Sequence, residues 1–391
     1  MKDYQIEPWD NVKKVNLDTY IPPEVEKIAK KVMAHYNMKV RSRKLITSKP
    51  DKGGAIWKIE TNKGPRSLKL LHRAPARSKF SVYAQDYIVK QGARVPALVR
   101  TKNKQLYVEM GGKVWIVTDW IRSLKQASKI NLKGAKELCH GLGEFHKHSK
   151  GYLPPEDAVK ASRLTRWPKY YEKVRTKIGW FRELAKAYKN LPASKRLLSL
   201  TDRFEKQASD ALAQLEKSPY SKMVAKGEAH WGLVHQDYGW SNGQLGPGGL
   251  WVIDLDGVSY DLPIRDLRKL ITSTMEDMGY WDLKWARGMI NAYHKANPID
   301  AETYEILMID LSLPNEFYKH VKEMLYYPET FLKREADPVL NGVMKCEKTK
   351  WKALKQLWKD KSKFKSGNYT GTSSRKKKKK KRNKKKRGGK S

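Results

Sequence analysis

A polar loop between apolar segments constrains this chain more than any other feature. Residues 233–242, LVHQDYGWSN, place a histidine, an aspartate and an asparagine in one short stretch. Eleven positions after Asn242 begins the sequence IDLDG, in which Asp254 follows an apolar run. An apolar run that returns so soon predicts a short hairpin. The chain is therefore expected to fold so that the ends of this hairpin, with their polar side chains, lie together.

Strand patterns and helix patterns are unevenly divided along the chain. The sequence predicts helices at 21–38, 78–92 and 131–149, and strands at 40–47, 55–61, 66–71 and within 97–121. Beyond residue 155 the pattern is mostly helical, apart from the loop and hairpin within 230–257. Strands first and helices after predict an α+β protein with two lobes. We expect a β-rich lobe over residues 1–121, a helical lobe over 122–361 and a tail over 362–391.

The charge of the chain is strongly positive throughout and is densest near the C-terminus. The net charge is +40, from 81 basic and 41 acidic residues. Twelve of the thirteen residues from 375 to 387 are Lys or Arg. Like charges without apolar residues cannot collapse, so the sequence predicts a disordered tail. Its partners are expected to be polyanions, such as acidic or phosphorylated proteins, and a purely solubilising tail is the alternative.

Other classes of protein are disfavoured by what the sequence lacks. It has no apolar run of 18 residues, so no membrane span is expected. The N-terminus, MKDYQIEPWDN, is charged where a signal peptide is apolar, so secretion by that route is not expected. Two cysteines make neither a disulfide framework nor a zinc site. The sequence contains no RNA- or DNA-binding motif, so nucleic acid is not expected as a specific partner.

The loop and the hairpin carry the residues expected of a phosphoryl-transfer site. Asp237 can orient a hydroxyl nucleophile and accept its proton, and His235 would hold the loop. Asn242 and Asp254 can supply the amide and carboxylate oxygens that bind a magnesium ion on nucleotide phosphates. Asp256 is either a second ligand or a turn residue. The competing interpretation is a solvated turn with one buried histidine.

The β-rich segment offers candidates for nucleotide binding. Lys69, among leucines on the third predicted strand, is favoured over Lys58 for the nucleotide phosphates. Asp86, the only acid of the following helix, is the candidate partner of that lysine. Gly53 and Gly54 could lie over phosphates, because a backbone without side chains allows close approach.

Two further pairs of residues are candidates because of their place in the sequence. Backbone groups of Asp119 and Ile121, at the junction of the lobes, could bind an adenine edge. Of the acids in DLPIRDL, Asp261 or Asp266 is expected to cap the next helix. Asp266 is also expected to support the loop at 233–242, which we call the catalytic loop, from below.

The motifs VHQDYGWSN, VIDLDG and DLPIRDL resemble those of the aminoglycoside-phosphotransferase-like branch of the protein-kinase fold. Together with AIWKIET, GPRSLKLLH, FSVYAQDYIVKQGARVPAL and VWIVTDWI, they are similar to the CotS-type spore-coat proteins of endospore-forming bacteria. The resemblance covers roughly residues 25–355. It departs from the pattern in two places: the acid expected to pair with the phosphate lysine is not a clear Glu, and the glycine loop lacks its full spacing.

The resemblance implies a small N-lobe, a helical C-lobe and ATP as cofactor with Mg²⁺ or Mn²⁺. Asp237 would be the base, Asn242 and Asp254 the metal ligands, and Lys69 the phosphate lysine. It also implies synthesis in the mother-cell cytoplasm and deposition in the spore coat. Two functions follow: phosphoryl transfer to a hydroxyl of a small molecule, glycan or coat protein, or a weakly active or inactive coat component that binds polyanionic partners through its tail.

Overall fold

The computed structural model describes residues 4–13, 15–127 and 131–369. The predicted α+β, two-lobed architecture is confirmed, with an antiparallel sheet first and helices after it. The elements of the N-terminal lobe are α1 (Pro23–Ala34), β1 (Val40–Lys49), β2 (Gly54–Thr61), β3 (Gly64–Leu70), α2 (Pro75–Lys90), β4 (Val108–Met110) and β5 (Lys113–Asp119).

Strand β3, which carries Lys69, lies in the interior of the sheet of this lobe. Within the described residues the sheet has five strands in the order β1-β2-β3-β5-β4. Residue Lys69 on β3 is opposite Ile56 of β2 on one side and Ile116 of β5 on the other. A lysine between two apolar neighbours is buried, so its ammonium group needs a partner beyond the sheet.

Helix α1 and the N-terminal segment cover one face of the sheet. Val25, Val32 and other apolar residues of α1 pack with Trp57 and Trp115, whose rings stack at 5.8 Å between centroids. The chain before α1 is attached to the sheet loops, because the N–H of Trp9 donates to the carbonyl of Pro50 at 2.8 Å. This attachment closes the outer side of the β1–β2 turn.

Within the described residues, the second lobe is built from helices with one two-stranded sheet and one three-stranded sheet between them. Its elements are β6 (Lys125–Gln126), α3 (Leu132–Ser149), α4 (Trp167–Ala187), α5 (Ser194–Lys217), α6 (Tyr220–Val224), α7 (Glu228–Trp231), β7 (Leu233–Val234), β8 (Gly243–Gly246), β9 (Gly249–Val252), β10 (Ser259–Tyr260), α8 (Ile264–Met278), α9 (Leu283–Ala296), α10 (Ala301–Ser312), α11 (Asn315–Val321), α12 (Pro328–Thr330) and α13 (Ala336–Lys359). Strands β8 and β9 form the predicted hairpin, and β7 pairs with β10.

The C-terminal end of the helical lobe extends further than predicted. The segment 362–369, which the sequence assigned to the tail, is packed on the lobe. The ring of Phe364 stacks on Tyr304 at 4.4 Å between centroids, and the Tyr369 hydroxyl donates to Asp300 at 2.7 Å. These aromatic residues give the segment the apolar contacts that the basic run lacks. The predicted disorder of 370–391 concerns residues outside the described ranges.

None of the helices in the described part of the chain is long and apolar enough to cross a membrane.

Candidate active site

Helix α8 fixes the catalytic loop through a single carboxylate. The backbone N–H of His235 donates to Asp266 Oδ2 at 2.6 Å, and the N–H of Gln236 donates to Asp266 Oδ1 at 3.1 Å. Gln236 has a φ of +71°, which is rare for a residue with a side chain and requires support from its surroundings. Asp266 supplies that support from the first turn of α8.

Hydrogen bonds join the catalytic loop to the segment that carries Asp254. The side-chain N–H of Asn242 donates to the carbonyl of Asp237 at 2.8 Å, and the backbone N–H of Ile253 donates to the carbonyl of Asn242 at 2.9 Å. His235, which is buried, donates from Nε2 to the carbonyl of Ile253 at 2.9 Å. The sequence-predicted residues of the loop and hairpin are therefore held in one connected unit.

Asp237 and Asp254 differ in their exposure. The Asp237 side chain is exposed to solvent, so it is accessible to an acceptor. Asp254 follows the β8–β9 hairpin with a φ of +61°, and its side chain is 28% exposed. The left-handed backbone at Asp254 is strained for a non-glycine residue, a feature that concentrates at functional sites.

Lys69 connects the sheet to this unit. Its ammonium group forms a short ion pair with Asp254 Oδ1 and lies 2.7 Å from Asp256 Oδ1. Lys49, at the end of β1, lies 3.8 Å from Asp254 Oδ2. His72 Nδ1 is 3.7 Å from Asp256 Oδ2. Two lysines from the sheet thus face two carboxylates from the helical lobe.

These charges shift one another's titration. Burial would raise the pKa of Asp254, but the ammonium groups of Lys69 and Lys49 outweigh it and hold that pKa well below its usual range. Burial would lower the pKa of Lys69, but Asp256 and Asp254 raise it above its usual value. Both groups are consequently charged at neutral pH.

A cavity of about 470 Å³ lies between the sheet and the helical lobe. Its lining includes Lys69, Asp119, Ile121, Ile253 and Asp254. The charged residues Asp119 and Asp254 line it together with Lys69, and the apolar side chains of Ile56 and Ile116 lie on the sheet side. A cleft of this size, with convergent charges and an apolar wall, is suited to a small ligand.

The sequence profile of a known family matches most of this region. The profile is that of the phosphotransferase enzyme family, and it matches residues 53–305, which is more than half of the chain. The chain belongs to this phosphotransferase family. The matched range includes the β2–β3 strands, the catalytic loop and helix α8.

Individual relatives of this phosphotransferase agree with that assignment. It is 27% identical over 292 residues to spore coat protein S of Bacillus subtilis, an alignment that covers 75% of this chain and 82% of the relative. Among solved structures, an aminoglycoside phosphotransferase from Alicyclobacillus acidocaldarius has a TM-score of 0.69 at 18% identity, covering 90% of this chain and 99% of the other. A spectinomycin phosphotransferase in complex with ADP and spectinomycin has a TM-score of 0.55 at 13% identity, covering 85% and 98%. The structural matches show a shared fold.

The structure corrects the expected partner of Lys69. Asp86 does not pair with Lys69. Its carboxylate lies 3.3 Å from Arg100 and 2.6 Å from Lys90, one turn further along α2. The position of Asp86 on α2 directs it to these exposed cations, while Asp254 and Asp256 take its place at Lys69.

Gly53 and Gly54 are buried in the structure, and neither belongs to the lining of the cavity. A Cβ at Gly53, whose φ is +63°, would lie 3.2 Å from the carbonyl oxygen of Glu7. A Cβ at Gly54 would lie 3.0 Å from Cβ of His72. The N-terminal segment thus packs on the backbone of Gly53, which the sequence predicted to lie over phosphates.

The remaining candidates of the N-terminal lobe are Lys58, Asp119 and Ile121. Lys58, the alternative to Lys69, pairs with Glu60 at 2.7 Å and lies over the ring of Trp120. The backbone N–H of Asp119 already donates to the carbonyl of Ala97 at 2.9 Å. Ile121, two residues on, lines the cavity without such a bond within the described chain.

Two side chains that support the loop were missed in the sequence. The ammonium group of Lys269 forms a short hydrogen bond to the carbonyl of Gln236. His146 of α3 is fully buried, with Nε2 3.3 Å from Asp266 Oδ2 and Nδ1 2.8 Å from the hydroxyl of Tyr293. The signal for Lys269 was its position, three residues after Asp266 on one helix. His146 lies 120 residues away from Asp266, so no local pattern connects them.

Proposed function

We propose that this protein transfers the γ-phosphoryl group of ATP to a hydroxyl group of a small molecule, a glycan or a coat protein during assembly of a spore coat. The proposal rests on one observation, the hydrogen-bonded unit that holds Asp237, Asn242 and Asp254 together beside Lys69. Membership of the phosphotransferase family supports the reaction class. The similarity to spore coat protein S supports the setting.

Each residue of the unit has a role that its chemistry permits. Asp237, exposed at the loop, orients the acceptor hydroxyl and accepts its proton. Lys69 neutralises Asp254 and Asp256, and it binds the nucleotide phosphates when they enter the cleft. His235 holds the loop through its bond to Ile253.

The donor set around Asp254 suits a divalent cation. The amide oxygen of Asn242 has no hydrogen bond among the described residues, and Asp254 offers a carboxylate that is ionised at neutral pH. Hard oxygen donors of this kind fit Mg²⁺ or Mn²⁺, which would neutralise phosphate charge when bound. Asp256 adds a third oxygen donor to this set.

The cavity also has room for the base of the nucleotide. The backbone of Ile121 lies at the junction of the lobes, with the apolar residues Ile56 and Ile116 on the sheet side. We assign the adenine edge to Ile121, with Asp119 contributing its carbonyl, since the N–H of Asp119 is already bonded. Gly53 and Gly54 do not line this cavity, so we assign them no contact with the phosphates.

The test compares nucleotide binding with turnover in the full chain. ATP consumption is measured with Mg²⁺ and with Mn²⁺ for the wild type, Asp237→Asn and Asp254→Asn, with Asp18→Asn as a control at an exposed site. We expect Asp237→Asn to lower kcat by about 10²–10⁴-fold with little change in nucleotide affinity, because only proton transfer is lost. Asp254→Asn should weaken metal-dependent nucleotide binding. Full turnover in Asp254→Asn would refute the metal assignment.

The coat setting and the tail are tested separately. We propose that the protein is made in the mother-cell cytoplasm and then joins the coat, where its basic run at 375–387 binds acidic or phosphorylated components. Antibody detection in coat extracts of spores from its source organism tests the location. Deletion of 375–387 should weaken salt-sensitive binding to polyphosphate tenfold or more while leaving nucleotide binding unchanged. Polyphosphate binding of unchanged strength without the run would overturn the role of the tail.

A further inference from the structure

Five arginines lie on segments that meet around β10. They come from three separate segments: the start of α2, the connection before α4 and the start of α8. We call Arg73, Arg77, Arg163, Arg166 and Arg265 the arginine cluster. None of the five lines the nucleotide cavity.

Backbone contacts bring these three segments together around β10. The N–H of Arg163 donates to the carbonyl of Tyr260 at 2.8 Å, and the guanidinium of Arg77 donates from Nη2 to the carbonyl of Val258 at 2.6 Å. Strand β10 pairs with β7, which leads directly into the catalytic loop. Gln236 of that loop also hydrogen-bonds to Ser259 of β10. Strand β10 therefore connects the arginine cluster to the loop that carries Asp237.

The arginines are close enough to repel one another. Partial burial and the charge of Arg73 lower the pKa of Arg77 to about 10. Partial burial, followed by the charge of Arg265, lowers the pKa of Arg163. The charges of Asp256 and Asp261 act in the opposite direction on Arg77 and Arg163 respectively, and an anion between the arginines would reduce their mutual repulsion further.

The cluster has few anionic partners of its own. Within the described ranges, Arg265 is the one member with a carboxylate partner, Asp261 at 3.2 Å. Arg77 Nη1 is buried and has no hydrogen-bond partner among the described residues. A buried guanidinium donor without an acceptor is costly, so this atom points to a ligand that supplies one. A basic surface alone would explain exposed arginines but not a buried, unpaired donor beside the loop.

Resting on the proposed phosphoryl transfer, we propose that the acceptor is anionic: a hydroxyl compound that carries a phosphate or carboxylate group, bound by Arg77 and Arg163. The planar guanidinium fork matches both anions; Arg77 is half-buried, and Arg73, Arg163 and Arg166 are exposed around it. The acceptor hydroxyl oxygen forms a bond to the γ-phosphorus of ATP. The bond from that phosphorus to the β–γ bridging oxygen breaks, its electron pair leaves with ADP, and the hydroxyl proton passes to Asp237.

The experiment measures acceptor-side binding with the nucleotide site filled. The full chain is saturated with AMP-PNP and Mg²⁺ and titrated calorimetrically with glucose, glucosamine, glucuronate and glucose 6-phosphate. These probes differ in charge on a common ring, and the last two separate carboxylate from phosphate. We expect at least one anionic sugar to bind ten times or more tightly than glucose and glucosamine. No preference for either anion would overturn the proposal.

Variants show whether the cluster is responsible. Arg77→Gln and Arg163→Gln should each weaken binding of the preferred anion tenfold or more. Arg334→Gln removes the same charge at an exposed position elsewhere and should leave it unchanged. All variants keep the basic tail, so any binding by the tail cancels. Equal losses in the Arg163 and Arg334 variants would refute the site, even if the Arg77 variant failed to fold.

The proposal and the function beneath it fail in different ways. If AMP-PNP does not bind, the phosphotransferase function fails, and the anion titration without nucleotide still decides the cluster. If AMP-PNP binds but charge makes no difference among the sugars, the anionic acceptor alone is wrong.

Discussion

The ammonium group of Lys69 lies 2.7 Å from the carboxylate of Asp256. This contact joins the third strand of the sheet to the segment after the β8–β9 hairpin, 187 positions along the chain. The same ammonium group also holds Asp254. One buried lysine thus balances two carboxylates and joins the sheet to the helical lobe.

Replacing Lys69 tests the energetic value of this balance. Lys69→Met leaves Asp254 and Asp256 without their main cation, so we expect the free energy of unfolding at pH 7 to fall by about 3–5 kcal/mol. Urea denaturation measures the change. Lys58→Met serves as the control, because its pair with Glu60 is more exposed and should be worth about 0–1 kcal/mol. Equal losses in both variants would contradict the proposed balance.

Replacing Asp266 tests how the catalytic loop is held. Asp266→Asn removes the charge that accepts the N–H groups of His235 and Gln236, so we expect a loss of about 1–3 kcal/mol in unfolding free energy at pH 7. Asp277→Asn, at an exposed position of the same helix, should change it by less than about 0.5 kcal/mol. A loss of similar size in both variants would show that the loop does not depend on Asp266.

The same variant predicts a pH dependence. Burial would raise the pKa of Asp266, but its hydrogen bond with His146 and nearby positive charge lower it to about 2. An unfolded Asp has a pKa of about 3.9. Because the folded value is the lower one, the stabilisation is complete above about pH 4 and is lost as the pH falls towards 2. The stability difference between wild type and Asp266→Asn should shrink over that window, and a constant difference would disprove this.

The β1–β2 turn should tolerate no side chain at Gly53. Gly53→Ala places a Cβ on a left-handed backbone and 3.2 Å from the carbonyl of Glu7, so we expect a loss of about 1–2 kcal/mol. Gly342→Ala is the matched control: no atom lies within 4 Å of its Cβ, and it sits in helix α13. It should stabilise the protein by up to about 1 kcal/mol. Thermal unfolding that moves both variants in the same direction would be inconsistent with this account.

The packed segment after α13 should contribute to stability. Phe364→Ala removes a ring that stacks on Tyr304 and contacts His294, and we expect a loss of about 1–3 kcal/mol because the side chain is only partly buried. Tyr326→Ala, at a side chain that is 70% exposed, should have little effect. Denaturant unfolding distinguishes the two. An unchanged midpoint for Phe364→Ala would mean that the segment is not part of the folded lobe.

Local sequence patterns predicted much of the fold. Alternating residues gave strands within the observed β1, β2 and β3, and the predicted helix at 78–92 corresponds to α2. The helix predicted at 21–38 ends earlier, at Ala34. The spacing of the loop and hairpin also placed Asn242 and Asp254 in one hydrogen-bonded unit. These features depend on neighbours in the sequence, and their residue types report them directly.

Residue patterns alone predicted the local features: the order of strands along the chain, the loop with its aspartate and asparagine, and one lysine among leucines. The tertiary structure decided the partners. Asp86 pairs with Arg100, and His146 contacts Asp266 from another helix. The backbone of Glu7 packs against Gly53. A charge in a folded chain pairs with whichever opposite charge packing brings within reach, and contacts between distant residues leave no periodic trace in the sequence.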